Sequence, residues 1–262
     1  MKNKKETKPR ILIWDIESSY NQVLSFGLIK QFIPIDNITT ERHLYCVAYK
    51  WYGEKKIHTI SILDDPKRFK KDIHDDYYVI SEFRKVIEQA DAQVAHYGNQ
   101  FDMKMFNARL CFHGLLPLPK MKSFDTKALA SKYFRFNSNK LDYLAHHLCG
   151  IGKTNNPKGL WIDCFNGDVK AIKWMVKYNK QDIVILEAVF NKLIPFMKDY
   201  SLNMNMFMKG ARCSNPTCGS TNIEWRGWNY TRTGKYRRCQ CRSCGSWSDE
   251  RTTVPNCKPE IK

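Results

Sequence analysis

The stretch Ile11-Leu12-Ile13-Trp14-Asp15-Ile16-Glu17 restricts the fold more than any other part of the chain. A short apolar run of this kind reads as a buried strand, and here the strand ends in two carboxylates. Side chains two apart on a strand share a face, separated by about 6.6 Å of rise. Asp15 and Glu17 therefore reach into one pocket. Neighbouring carboxylates raise each other's pKa unless a positive charge lies between them. The usual partner is a hard divalent cation with oxygen ligands. An edge strand with both acids in water satisfies the same pattern, so the rest of the chain has to choose.

Downstream, the runs His43–Tyr52 and Lys56–Leu63 read as β-rich segments joined at Gly53-Glu54. Val79, Ile80, Phe83, Val86, Ile87 and Ala90 recur at helical spacing. A short strand at Gln93–Tyr97, a helix from Phe101 to His113 closed by Gly114, a strand at Met121–Phe124 and a helix from Asp125 follow. Leu141–Leu148, Val169–Val176 and Tyr178–Leu193 read as helices. This order specifies an α/β domain with a mixed central sheet. From Ser201 the texture changes: Met204, Met206 and Met208 alternate with polar residues as in an extended linker, and turn residues and cysteines then replace helical periodicity.

Apolar content of 43% with 13% aromatics indicates a packed protein, and no run approaches a membrane span of roughly 20 residues. The polar, Lys-rich start is not a secretory signal. The expected setting is the cytoplasm, a host's if the chain is viral, with no membrane partner. A formal net charge of +17 points to a polyanion, since basic side chains that contact phosphates release counterions.

Two more acids join the first pair. Asp102 follows the strand–turn Ala95-His96-Tyr97-Gly98-Asn99-Gln100-Phe101, where an Asp is often only a helix cap. Asp182 lies four residues after Tyr178, on a helix face that Leu186, Val189, Phe190 and Leu193 direct to the core. An acid on such a face is costly unless paired or metal-bound. Asp-x-Glu ending a first strand, Asp after a glycine-containing turn and Tyr-x-x-x-Asp on a late helix resemble the DEDDy branch of the DnaQ-like 3′–5′ exonucleases, which have an RNase H-like fold. The likeness extends over about residues 10–197 and is nearest to the proofreading domains of family-B DNA polymerases and their stand-alone phage and bacterial relatives.

The resemblance implies that Asp15, Glu17, Asp102 and Asp182 hold two Mg²⁺ or Mn²⁺ ions, which clamp the attacking and leaving oxygens of an in-line displacement. It implies that Tyr178 orients the attacking water; Lys177 stands where the sister branch has His. Tyr97 occupies the place of a frequent Asn before Gly98, so a substrate contact there falls to Asn99 or to stacking on Tyr97. Ser18 replaces a frequent Thr. No polymerase domain follows within the sequence, so proofreading in cis is not expected. Asp125 reads as a helix cap. Gly150-Ile151-Gly152-Lys153-Thr154 is not a P-loop, because His147 stands where the first Gly belongs. Lys153, Lys158 and Trp161 are candidates for the nucleic-acid channel, against a solvated loop, and His146-His147 read as ordinary helix histidines.

The cysteines cluster late. Cys213-x4-Cys218-Gly and Cys241-x2-Cys244-Gly, separated by 22 residues, form two knuckles suited to one structural Zn²⁺. Cys239 offers a competing ligand to Cys241; the Gly after each knuckle favours Cys241. The segment Lys235–Gly245 resembles zinc ribbons of transposase-associated and transcription-related proteins. Trp225, Trp228, Tyr230, Tyr236 and Trp247 are interleaved with Arg226, Arg232, Arg237, Arg238 and Arg242, a pattern of single-strand binding. Arg226, Trp228, Tyr236, Arg237 and Arg238, with Ser18, Asn99 and Lys153, are the nucleic-acid candidates. Docking a protein is the alternative use of the ribbon.

The expectation is thus an RNase H-like mixed sheet flanked by helices, with a basic tail at 1–9, an exonuclease domain at 10–200, a linker at 201–211, a zinc ribbon at 212–250 and a tail at 251–262. Single-stranded or frayed DNA is the expected substrate ahead of RNA, and replication or recombination proteins are candidate partners. An inert recruitment protein and a related-fold endonuclease of resolvase or transposase type are the competing readings.

Overall fold

The computed structural model describes residues 8–29, 31–152, 155–197, 202–207, 210–231 and 234–249. Lys153, Met208, Arg232 and Cys257 lie outside the described residues. The chain divides into two compact units, Arg10–Phe190 and a second from Asn191 onward.

In the first unit, β1 (Ile11–Ser18) is central because Ile11 to Trp14 are apolar toward both faces and fully buried. A small ladder of β2 (Gln22–Val23) and β3 (Ile38–Thr40) follows. Between these two strands Leu24, Phe26, Leu28, Ile29, Phe32 and Ile35 all project into solvent. Strand β4 (Leu44–Trp51) returns antiparallel to β1, placing Ala48 opposite Asp15 and Cys46 opposite Glu17. Strand β5 (His58–Ser61) forms the sheet edge against β4.

Helices α1 (Pro66–Lys71) and α2 (Tyr77–Ile87) lead into β6 (Ala92–Ala95). Helix α3 (Asp102–Phe112), strand β7 (Lys122–Asp125) and helix α4 (Thr126–Tyr133) come next. Strand β6 runs parallel to β1 and β7 parallel to β6, so the order is β5-β4-β1-β6-β7. Helices α5 (Leu141–Cys149), α6 (Leu160–Phe165) and α7 (Val169–Leu193) complete the unit. The expected mixed sheet flanked by helices is the one observed.

Alternation along β1 divides the work between the two faces. Leu12, Trp14 and Ile16 point into the main core, where Trp14 meets Phe83 of α2 at 5.1 Å and Phe106 of α3 at 6.2 Å between ring centroids. Its indole Nε1 donates to Gln93 Oε1 of β6 at 2.7 Å. The other face carries Asp15 and Glu17 toward α7. There Lys50, opposite Ile13, pairs with Glu187 of α7 at 2.6 Å.

Two expectations are corrected. The segments Val169–Val176 and Tyr178–Leu193 form one 25-residue helix; no Gly or Pro interrupts them, and Lys177 favours helix. The methionine stretch is not extended: Met204–Met206 is a 3-10 turn. Met204 is buried, and its N–H donates to Ser214 O at 3.2 Å. The segment therefore belongs to the packing of the second unit.

That unit contains an antiparallel sheet of β8 (Ile223–Thr231), β9 (Gly234–Cys241) and β10 (Trp247–Asp249), in the order β10-β9-β8.

Candidate active site and metal centres

Asp15, Glu17 and Asp182 come together: each offers a carboxylate oxygen within 4.8 Å of the others. Asp182 is buried and lies one helical turn beyond Tyr178 on α7. Asn179, 164 positions along the chain from Asp15 and fully buried, donates from Nδ2 to Asp15 Oδ2 at 2.7 Å. Its Oδ1 in turn accepts from Cys46 Sγ at 3.7 Å. Burial first, then the charges of Glu17 and Asp15, push the Cys46 thiol well above its ordinary pKa. The thiol therefore stays protonated and keeps Asn179 turned toward Asp15. Sequence reading missed Asn179, although its place beside Tyr178 and three before Asp182 on a core-facing helix was a usable signal.

Asp102 is also brought to β1, but by a different contact. Its Oδ1 accepts from the Ile16 N–H at 3.4 Å, and it is not part of the three-acid group. Burial, with a smaller contribution from the Asp125 charge, pushes its carboxyl up to about 7. The three clustered acids Asp15, Glu17 and Asp182 are costly to ionise together, and an all-oxygen donor set suits a hard divalent cation.

The turn before Asp102 is built around Asp125. Besides capping α4 through Lys127 N and Ala128 N, Asp125 accepts from Tyr97 N at 3.0 Å and Asn99 N at 3.2 Å. Tyr97 has φ +65°, a left-handed conformation that costs a bulky residue. Gly98 is required for another reason, since a Cβ there would meet Ala95 Cβ at 2.3 Å. Asn99 accepts from Ser123 Oγ at 2.6 Å. Tyr178 stacks on Trp174 at 5.9 Å and meets Trp161 edge-on at 6.4 Å. Ser18 ends β1, half-buried. Gly150 caps α5, and His146 and His147 are exposed.

In the second unit, one sulfur from each of Cys213, Cys218, Cys241 and Cys244 lies within 4.8 Å of the others. Cys213 and Cys244 are 3.6 Å apart, Cys218 and Cys241 3.8 Å. A tetrahedral zinc with Zn–S of about 2.3 Å places its sulfurs about 3.8 Å apart, so the cluster fits that ion. Cys239 is buried outside this group. Of the basic and aromatic candidates, Trp228 sits opposite Arg237, whereas Tyr236 sits opposite Asn229 and Arg238 opposite Asp249. Arg226 pairs with Glu224 at 2.9 Å.

A mixed sheet of this order, with acids at the end of its central strand met by an acid of a late helix, defines an RNase H-like α/β protein. A family model described as RNase_H superfamily matches residues 37–194, more than half of the sequence, and the chain belongs to that superfamily. Membership supports nuclease activity. The matched span includes Asp102, Tyr178 and Asp182 and begins after Asp15 and Glu17. Among solved structures, the family B DNA polymerase from the hyperthermophilic archaeon Pyrobaculum calidifontis is similar in fold, with a TM-score of 0.54 at 15% identity. The alignment covers 72% of this chain and 25% of that one, so the chain spans about a quarter of the polymerase's length. No curated protein matches it. Among the described residues, no helix is long and apolar enough to cross a membrane.

Proposed function

We propose that the chain is a DEDDy-type 3′–5′ exonuclease that shortens single-stranded or frayed DNA ends. One observation carries this reading: Asp15, Glu17 and Asp182, distant in sequence, present oxygens within 4.8 Å of one another. The motif order and the fold shared with a family B DNA polymerase support it. Asp15, Glu17, Asp102 and Asp182 would hold two Mg²⁺ or Mn²⁺ ions, which when bound acidify a water and neutralise charge on the phosphodiester. Asn179 keeps Asp15 aimed, and the α3 N-terminus fixes Asp102 against β1. Tyr178 holds the attacking water by hydrogen bonding rather than as a base, because an ordinary phenol titrates near 10. Cys213, Cys218, Cys241 and Cys244 would hold one structural Zn²⁺.

The test is an end-labelled oligonucleotide incubated with Mg²⁺ or Mn²⁺, as DNA and as RNA in parallel. Stepwise shortening from the 3′ end, lost in Asp15→Ala/Asp182→Ala, is the expected result. Cleavage of a circular single strand would replace this reading with an endonuclease. No metal-dependent cleavage of any substrate would leave a binding protein.

A further inference from the structure

Simple alternation along β8 would send Trp225 and Trp228 to opposite faces. The ladder between β8 and β9 shifts between these residues. Gly227 there has φ +67°, which marks a β-bulge. Because paired residues share a face, the pairing puts Trp225 with Cys239, Trp228 with Arg237, and Tyr230 with Lys235 on one side of the sheet. Three rings and two cations therefore form a single stripe. Arg237 lies over Trp225 at 4.6 Å, and Lys235 lies over Trp228 at 4.2 Å and Tyr230 at 5.6 Å. Trp228 is 43% and Tyr230 70% exposed.

Arg238 is used differently. Its Nε donates to the Arg226 carbonyl at 2.8 Å and its guanidinium lies over Trp247 at 5.1 Å. The guanidinium also covers Gly227, at 3.7 Å from a built Cβ. Arg238 therefore braces the bulge from the opposite face, the face of Tyr236 and Trp247.

We infer that the Trp225–Trp228–Tyr230 stripe, with Lys235 and Arg237, is a stacking platform for single-stranded nucleic acid, and that Tyr236 and Arg238 serve the fold of the sheet. Charge complementarity selects this occupant. From Lys209 to the end the sequence has 11 Lys and Arg against 4 acids, a formal +7. Exposed rings with cations beside them match a chain of bases joined by phosphates. This deepens the nuclease reading and rests on it only for the choice of probe.

The experiment uses the full chain carrying Asp15→Ala/Asp182→Ala, so that binding is read without cleavage. Fluorescence anisotropy with labelled oligo-dT and oligo-rU measures affinity, and zinc content and far-UV circular dichroism confirm folding. Trp228→Ala and Tyr230→Ala should each weaken binding about tenfold. The Trp228→Phe/Tyr230→Phe variant should restore most of the affinity, and Trp247→Ala on the opposite face should change it less than threefold. Equal loss on both faces, or no loss for Trp228→Ala/Tyr230→Ala, overturns the inference. Displacement of the oligonucleotide by poly-glutamate at matched charge overturns it too, because the face would then be reading acidic protein. Absence of cleavage by the natural chain would defeat the nuclease reading while leaving the difference between faces measurable.

Discussion

Asp15 keeps one oxygen aimed because Asn179 donates to it, and Asn179 is itself held by the Cys46 thiol. Groups that orient a metal-binding carboxylate usually matter about 10–100-fold when removed. Asn179→Ala should therefore lower metal-dependent cleavage by at least about tenfold and raise the Mg²⁺ concentration needed for half-maximal rate, as an Mg²⁺ titration of initial rates would show. Tyr97 poses the opposite case. Its φ of +65° is strain that Asn accepts more readily. Tyr97→Asn should raise unfolding stability by about 1 kcal/mol in urea. If the exposed ring stacks on substrate, the same variant loses cleavage rate. Tyr97's backbone was not legible in the sequence, and of Asn179 only its place on the core-facing side of α7 was, because the bond to Asp15 depends on which segment lies across from it.

At the scale of elements, Asp125 joins two of them. Its carboxylate caps α4 and also accepts the Tyr97 and Asn99 amides of the turn that starts α3. Asp125→Ala should cost about 2–3 kcal/mol, more than an ordinary cap. It should also reduce cleavage, because the turn that delivers Asp102 loses its anchor. Urea midpoints and initial rates measured on one preparation check both effects. The loop between β2 and β3 contributes nothing comparable: Phe26 and Phe32 are exposed. Phe26→Ser/Phe32→Ser should shift stability by less than about 0.5 kcal/mol in the same measurement. Elements with strong periodicity were legible in advance, including β1, the apolar face of α2 and the hairpin through Gly53. Continuity of α7 past Lys177 was misread, because local pattern carries no mark for a break that does not exist.

For the molecule as a whole, the two units should respond to different insults. A strong zinc chelator should release four crowded thiols in a segment too small to bury much apolar surface. Hydrogen exchange should then quicken in β8 and β9 while β1 and β4 keep their protection. Acid acts on the larger unit. His43 is buried with its ring beside His74, and burial first, then that neighbour's charge, lowers its pKa to about 4. The unfolded chain takes up this proton near pH 6.5, so it binds more protons than the folded one between about 6.5 and 4. Stability is therefore complete above pH 6.5 and falls as pH drops through that window. The effect is up to about 3 kcal/mol relative to His43→Gln, measured by urea unfolding at pH 7 and pH 4.5.

The sequence by itself determined the local facts: a buried strand ending in Asp15 and Glu17, a late helix bearing Tyr178 and Asp182 on one face, and two cysteine knuckles. These follow from side-chain period and covalent spacing, which act over a few residues. Only the tertiary structure decided that Asn179 reaches Asp15, that Asp102 meets β1 through the Ile16 amide, and that a bulge at Gly227 gathers Trp225, Trp228 and Tyr230 on one face. Each of these depends on strand register and helix rotation. Packing of the whole core sets both, since one residue of slip would turn every side chain to the other face.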